Sequence, residues 1–202
     1  IAKLPSPLNK EKYILLKHGI WDNPKTSVYI NKKKDFTFLF PQKKIDYKKY
    51  TPRKIKIGLT RYKKLLQEEE NLRRYLKIYK YFNSCKNLLE IGSGEGNFLE
   101  LLNKKEKMKL SSMEKDEKSN LKYKKLKWLT SYNNFENIKK KYDIICFFHV
   151  FEHIYEPNIF LKEIKRISHT KSRIILEVPS LSDPIMKIYK IKEFFDFFFQ
   201  TQ

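Results

Sequence analysis

Glycine is scarce in this chain. There are five in 202 residues, and three of them fall at positions 92, 94 and 96. A sequence that spends its few glycines so close together needs them there, for a turn that side chains would obstruct. Cysteine is rarer still: Cys85 and Cys146 stand apart, with no paired zinc spacing and no basis for a disulfide framework. A stapled secreted scaffold is therefore excluded, and a reducing compartment fits. No apolar run reaches membrane-spanning length and no signal-peptide pattern is visible, so the expectation is a soluble cytoplasmic protein without a membrane partner. Arginine is short as well, six of the 44 basic residues. Lysine makes up the rest and accompanies abundant Ile, Asn, Phe and Tyr, a joint bias that AT-rich codon usage produces.

Acidic residues number 23, giving a formal net charge of +21. The excess is uneven: residues 1–87 hold 23 basic and 7 acidic side chains, whereas residues 88–202 hold 21 and 16. A basic first part favours anionic partners, so nucleic acid is a second choice behind a small-molecule acceptor. Length allows one well-cored domain and an appendage. The boundary is placed at 58/59, with an appendage over 1–58 and a catalytic-type domain over 59–202.

The chain is organised around Leu88-Leu89-Glu90-Ile91-Gly92-Ser93-Gly94-Glu95-Gly96-Asn97-Phe98. An apolar run ends on a carboxylate, passes three alternating glycines and resumes as Phe98, Leu99, Leu101 and Leu102 at helical spacing, which reads as strand, tight turn, helix. Such a turn lets a ligand approach backbone N–H groups at a helix start. The dinucleotide fingerprint is not met, because Asn97 occupies its sixth position, and no Gly-Lys-Ser/Thr follows to make a phosphate loop. Glu90, Gly92, Gly94 and Gly96 instead resemble the first motif of class I S-adenosylmethionine (SAM) dependent methyltransferases, acid-x-Gly-x-Gly-x-Gly. The resemblance implies SAM as cofactor, with Glu90, Gly92, Ser93, Gly94 and Gly96 around it.

The downstream order agrees. Met108–Met113 reads as a second strand ending on Glu114, 22 positions after Gly92, where doubly wound folds place the acid that binds ribose hydroxyls. Asp116 is the alternative, and both acids also suit the start of a helix over 118–125. Lys127–Thr130 reads as a third strand. Relatives often carry an adenine-binding aspartate after it; this chain offers Thr130, Ser131 or Tyr132, and Ser131 is taken as the contact. Tyr142–Phe148 is near-continuously apolar, as a strand buried on both faces should be. His149-Val-Phe-Glu-His153-Ile follows, then a helix from Pro157 burying Ile159, Phe160, Leu161, Ile164 and Ile167. This pattern resembles the fourth-motif region of the same family. Arg173–Val178 reads as a fifth strand.

Ahead of the glycine turn, Leu59–Phe82 repeats apolar residues at three and four, an amphipathic lead-in (59–83) whose aromatic stripe is expected to be core. The core itself is placed over 86–199. Tyr13–Leu16, Ser27–Ile30 and Phe36–Phe40 read as short strands of a β-containing appendage, with 31–35 as a hairpin loop. Residues 184–199 are helix-like and aromatic. The resemblance implies two further strands after them, so the chain is expected to be a C-terminally truncated, Rossmann-like α/β domain with helices on both faces of its sheet.

Ligands bind at the carboxyl ends of parallel strands, which should bring the glycine turn, Glu114, Ser131 and Phe148–His153 to one crevice. Methyl transfer asks mainly for alignment and a base, and histidine nominates His149 and His153 as catalytic. Glu152-His153 also suits a role in holding the turn. His149, Glu152 and His153 have the spacing of a metal cluster, but histidine in place of an oxygen ligand suits magnesium poorly, and no metal is assigned. The expected activity is methyl transfer to a small polar acceptor such as a sugar or glycan intermediate. An RNA methyltransferase and a non-catalytic binding subunit are the alternatives.

Overall fold

The computed structural model describes residues 13–20, 23–31, 33, 36–41 and 60–180. The chain divides into two compact units, one of residues 47–151 and 161–177, the other of 1–46, 152–160 and 178–202. The aromatic stretch at 184–199 and Leu59 lie outside the described residues.

In the second unit β1 (Tyr13–Lys17), β2 (Ser27–Asn31) and β3 (Thr37–Phe40) form an antiparallel sheet in the order β1-β2-β3. These are the three strand-like runs of the sequence. Asn31 N–H donates to Phe36 O at 3.0 Å across the expected hairpin. Val28 is fully buried, and the Tyr13 and Phe38 rings meet edge to face at 4.7 Å.

The larger unit begins with α1 (Thr60–Ile78), one continuous helix followed by a single 3-10 turn. Then come β4 (Asn87–Ile91), α2 (Asn97–Lys105), β5 (Lys109–Met113), α3 (Glu117–Tyr123), β6 (Leu129–Tyr132), β7 (Tyr142–Phe148), α4 (Pro157–Arg166), whose first four residues fall in the other unit, and β8 (Ser168–Glu177). The five strands β4–β8 make one parallel sheet in the order β6-β5-β4-β7-β8. This is the Rossmann-like arrangement expected, with the chain reversing direction across the sheet between β4 and β7, the position at which such folds open a ligand crevice. β4 and β7 are central, and Leu88, Leu89, Ile144, Ile145 and Phe147 are fully buried in them because both faces are covered.

Four expectations are corrected. Of the residues expected to be buried by the helix from Pro157, Phe160, Ile164 and Ile167 are, but Ile159 and Leu161 are exposed. β6 starts two residues later than Lys127, because Leu126 N–H and Leu129 N–H bond back to Tyr123 O and Leu126 O and close a turn first. β8 starts at Ser168, five residues before Arg173, since polar side chains fasten its entry: Ser172 Oγ donates to Tyr142 O at 2.6 Å, and His169 Nε2 lies 3.0 Å from Asp143 Oδ1. The aromatic stripe of the lead-in over 59–82 is core only at one end. Tyr75 and Phe82 pack into the core, but Tyr62 and Tyr79 are more than half exposed, because the face toward the sheet is taken by polar residues instead.

Candidate functional site

The three glycines after β4 all have positive φ: +69° at Gly92, +54° at Gly94 and +81° at Gly96. Each answers a different demand. A Cβ at Gly92 would overlap the Val150 side chain, and one at Gly96 would sit 2.8 Å from Tyr123 Cε1. At Gly94 a Cβ would meet nothing within 4 Å. Two of the glycines therefore permit close packing and the third faces open space. The turn is fixed by Gly92 N–H donating to Met113 O, by Gly96 N–H donating to Ser93 O, both at 2.8 Å, and by the Ser93 and Ser112 hydroxyls, 2.6 Å apart. From α3, the Tyr123 hydroxyl donates to Gly94 O and Lys122 Nζ to Glu95 O.

Open space beside Gly94 belongs to a cleft of about 660 Å³. Glu90, Gly92, Ser93, Gly94 and Phe148 line it, together with Glu95, Asn97 and Phe98. The opposite wall is α1, through Leu66, Gln67, Glu70, Asn71 and Arg74. Those positions recur at helical spacing and define a face that is largely polar, which is why the aromatic residues of α1 turn elsewhere.

Glu90 is 5 % exposed and its Oε2 has no hydrogen-bond partner in the protein. Burial pushes its carboxyl up to about 8, with Arg74 pulling the other way and Glu114 adding to the rise. An orphaned acceptor in a cleft wall is a costly feature unless something arrives to bond it. Glu114 does not line the cleft but faces the same turn: Oε2 accepts from Gly94 N–H at 2.9 Å and Oε1 from Asp116 N–H at 3.0 Å. Asp116 is otherwise engaged, as the N-cap of α3 accepting from Ser119 N–H at 2.8 Å. Of the two acids, Glu114 is the one at the glycine turn.

The remaining candidates are placed as follows. Gly96 packs on Tyr123 and is not part of the cleft wall. Ser131 is half-buried in β6 beside Ser112 and is likewise not in the wall. His149 follows Phe148 with φ +53°, and its Nε2 lies 3.2 Å from Glu177 Oε1. His153 is half-buried in the 3-10 turn Phe151–His153 and belongs to the other compact unit. Among the described residues no group of three or more His, Cys, Asp or Glu side chains is arranged to hold a metal ion.

Sequence reasoning missed the charged cluster that joins α1 to β8. Arg74 donates to Glu177 Oε1 from Nε and Nη2 at 3.1 and 2.9 Å, and Arg73 Nη2 reaches Glu177 Oε2 at 2.5 Å. Arg73 also forks onto Glu70. Burial works against ionised Glu177, but the hydrogen bonds from Arg73 and Arg74 prevail and hold its carboxyl at about 2. Arg74 further lays its guanidinium 4.6 Å from the centroid of the Phe148 ring. The available signal was the recurrence of Gln67, Glu70, Asn71 and Arg74 on one face of an otherwise apolar-patterned helix.

A methyltransferase domain family matches residues 61–195, two thirds of the chain. The chain belongs to that family. Three solved structures similar to this chain are as follows. The plantazolicin methyltransferase BpumL in complex with SAH is 21 % identical, with a TM-score of 0.45, over 54 % of this chain and 48 % of that one. Coclaurine N-methyltransferase bound to N-methylheliamine and SAH is 16 % identical, with a TM-score of 0.44, over 54 % and 35 %. A complex between the Haloferax volcanii Trm112 methyltransferase activator and a methyltransferase gives 14 %, 0.41, and 54 % of each chain. This chain thus matches about half or less of their length. No protein of curated function matches the sequence at a significant level.

Proposed function

We propose that this methyltransferase uses SAM and transfers its methyl group to a small polar acceptor, a sugar or glycan intermediate being the class favoured. The observation that carries the reading is the pairing, in one cleft, of an orphaned buried carboxylate oxygen on Glu90 with an unobstructed approach at Gly94. An amino-acid end group suits that pairing. Its ammonium matches Glu90 Oε2, and its carboxylate matches Arg74, whose guanidinium is already in the wall. Glu114, at the glycine turn, is the acceptor for ribose hydroxyls, and Ser131, at the carboxyl end of β6, is assigned to the adenine side.

When bound, SAM supplies an electrophilic methyl on a sulfonium that departs as a neutral thioether. The rest is positioning. Phe148 and Phe98, edge to face at 5.2 Å, make an apolar floor that excludes water, and α1 closes the cleft from above. His149 is assigned as the base that takes the acceptor's proton as the new bond to carbon forms, with Glu177 holding its ring by the Nε2 contact. His153 is kept as the alternative base. The cleft volume leaves room for a small acceptor beside the cofactor, which supports that class over a polymer.

Thermal shift with S-adenosylhomocysteine (SAH) and with 5′-methylthioadenosine tests the reading. SAH should raise the melting temperature clearly and methylthioadenosine, which lacks the amino-acid end, much less. Equal shifts, or none with either compound, would overturn it.

A further inference from the structure

The two ends of the parallel sheet differ in how their charges are paired. At the carboxyl ends acids and cations interleave: Glu95, Glu114, Asp116 and Glu177 stand with Lys115, Lys122, Arg73 and Arg74, and both arginines bond Glu177. At the amino ends lysine recurs: in spatial order Lys127 ahead of β6, Lys109 opening β5, Lys86 ahead of β4 and Lys140 ahead of β7, with Lys171 the fourth residue of β8.

Two acids near that edge, Glu106 and Asp143, are engaged elsewhere. Glu106 accepts from the Tyr75 hydroxyl at 2.7 Å, and Asp143 from Lys86 and Asn87 N–H groups at 2.6 and 3.2 Å, with His169 Nε2 also on it. Among the described residues none of the five lysines is ion-paired with a carboxylate. Lys140 shows the consequence: partial burial and the nearby Lys109 charge together lower its ammonium from the ordinary lysine range. The edge also offers an aromatic ring among cations, Tyr81, with Lys80 Nζ 5.1 Å and Arg173 Cζ 5.7 Å from its centroid.

We infer that the amino edge of the parallel sheet is a docking surface for the phosphate backbone of nucleic acid, separate from the methyl-transfer cleft at the other end of the strands. Five strands at about 4.8 Å spacing spread the lysines over about 19 Å, enough to meet several successive phosphates. Lysines act there as point charges on the backbone and carry no base readout, while Tyr81 gives an unpaired base a ring to stack on. A membrane surface fits less well, because insertion asks for an apolar face beside the cations and the ring among these cations is the polar-tipped Tyr81. The inference does not depend on SAM or on the identity of the acceptor.

The test uses the whole chain and a fluorescein-labelled mixed-sequence RNA hairpin with a single-stranded tail, titrated by anisotropy from 50 to 200 mM salt. The wild type should bind with a log–log salt slope of about −4, as five phosphate contacts require. The triple variant Lys109→Glu, Lys127→Glu, Lys140→Glu should bind at least about tenfold more weakly at 50 mM salt, with the slope reduced in magnitude by about 3. Unchanged circular dichroism and an unchanged SAH thermal shift in the variant identify the loss as local. Failure of the wild type to bind at 50 mM salt would overturn the inference. So would equal binding by the variant, which would assign the affinity to the basic residues 1–59, and so would binding to phosphatidylserine vesicles but not to the RNA.

Discussion

Arg74 and Glu177 are separated by 103 positions in the chain and joined by two hydrogen bonds, 3.1 and 2.9 Å, both to Glu177 Oε1. The pair ties the helix that walls the cleft to the last described strand of the sheet, and the same arginine stacks on Phe148 in the cleft floor. Arg74→Ala should therefore loosen the wall as well as remove a charge. The pair is partly exposed, so a cost of about 1–2 kcal/mol is expected in urea unfolding, below the range for a fully buried pair. SAH affinity should fall at least about tenfold in the same variant.

Glu177 also sets an acid limb. Its carboxyl is depressed, so it contributes stability above the ordinary value of 4.5, and that contribution disappears as pH falls through about 2. Glu177→Gln should flatten the decline in stability between pH 4.5 and 2. The variant and wild-type curves, measured by denaturant titration at each pH, should converge toward pH 2.

Glu90 has the opposite sign. Its carboxyl is raised to about 8, so the ligand-free protein carries no penalty below pH 4.5 and loses stability as pH climbs from 4.5 to 8, by up to about 1.4 kcal/mol per pH unit. Glu90→Gln should remove this slope. Unfolding free energies at pH 5 and pH 8 should differ less in the variant than in the wild type.

The glycines separate packing from access. Gly92→Ala drives a Cβ into Val150 and should cost about 1–3 kcal/mol, part of which Val150→Ala should restore. Gly94→Ala meets only the backbone penalty of its positive φ, about 1 kcal/mol. Denaturant midpoints of the three single variants and the Gly92/Val150 double variant resolve the two effects.

If His149 is the base, His149→Ala should leave SAH affinity within about twofold while lowering turnover with a true acceptor by about 10²-fold or more. The same split in His153→Ala, with His149→Ala silent, would move the role to His153. Single-turnover kinetics with labelled SAM read both.

Much of this fold was legible because it is written locally. β4 and β7 are apolar on both faces, and Gly92, Gly94 and Gly96 announce a turn that no other residues would make. Glu114 was legible by its distance from that turn, and the cap formed by Asp116 resolves which acid faces the glycines. What was not legible depends on meetings in space. The ion pair of Arg74 with Glu177 has no sequence spacing to read, and the entry of β8 is held by side-chain bonds from His169 and Ser172, which leave no apolar period. Tyr62 and Tyr79 fit an apolar stripe on the helical wheel, yet the structure turns them outward because the cleft wall needs the polar face of α1.

The cleft between α1 and the glycine turn is the proposed cofactor site. Calorimetric titration of SAH into the folded chain, with Gly94→Val and Glu114→Ala beside it, tests it most directly. Saturable one-to-one binding by the wild type, weakened at least about tenfold in both variants while circular dichroism stays unchanged, is the predicted result. No binding by the folded wild type, or equal affinity in all three proteins, would contradict the account.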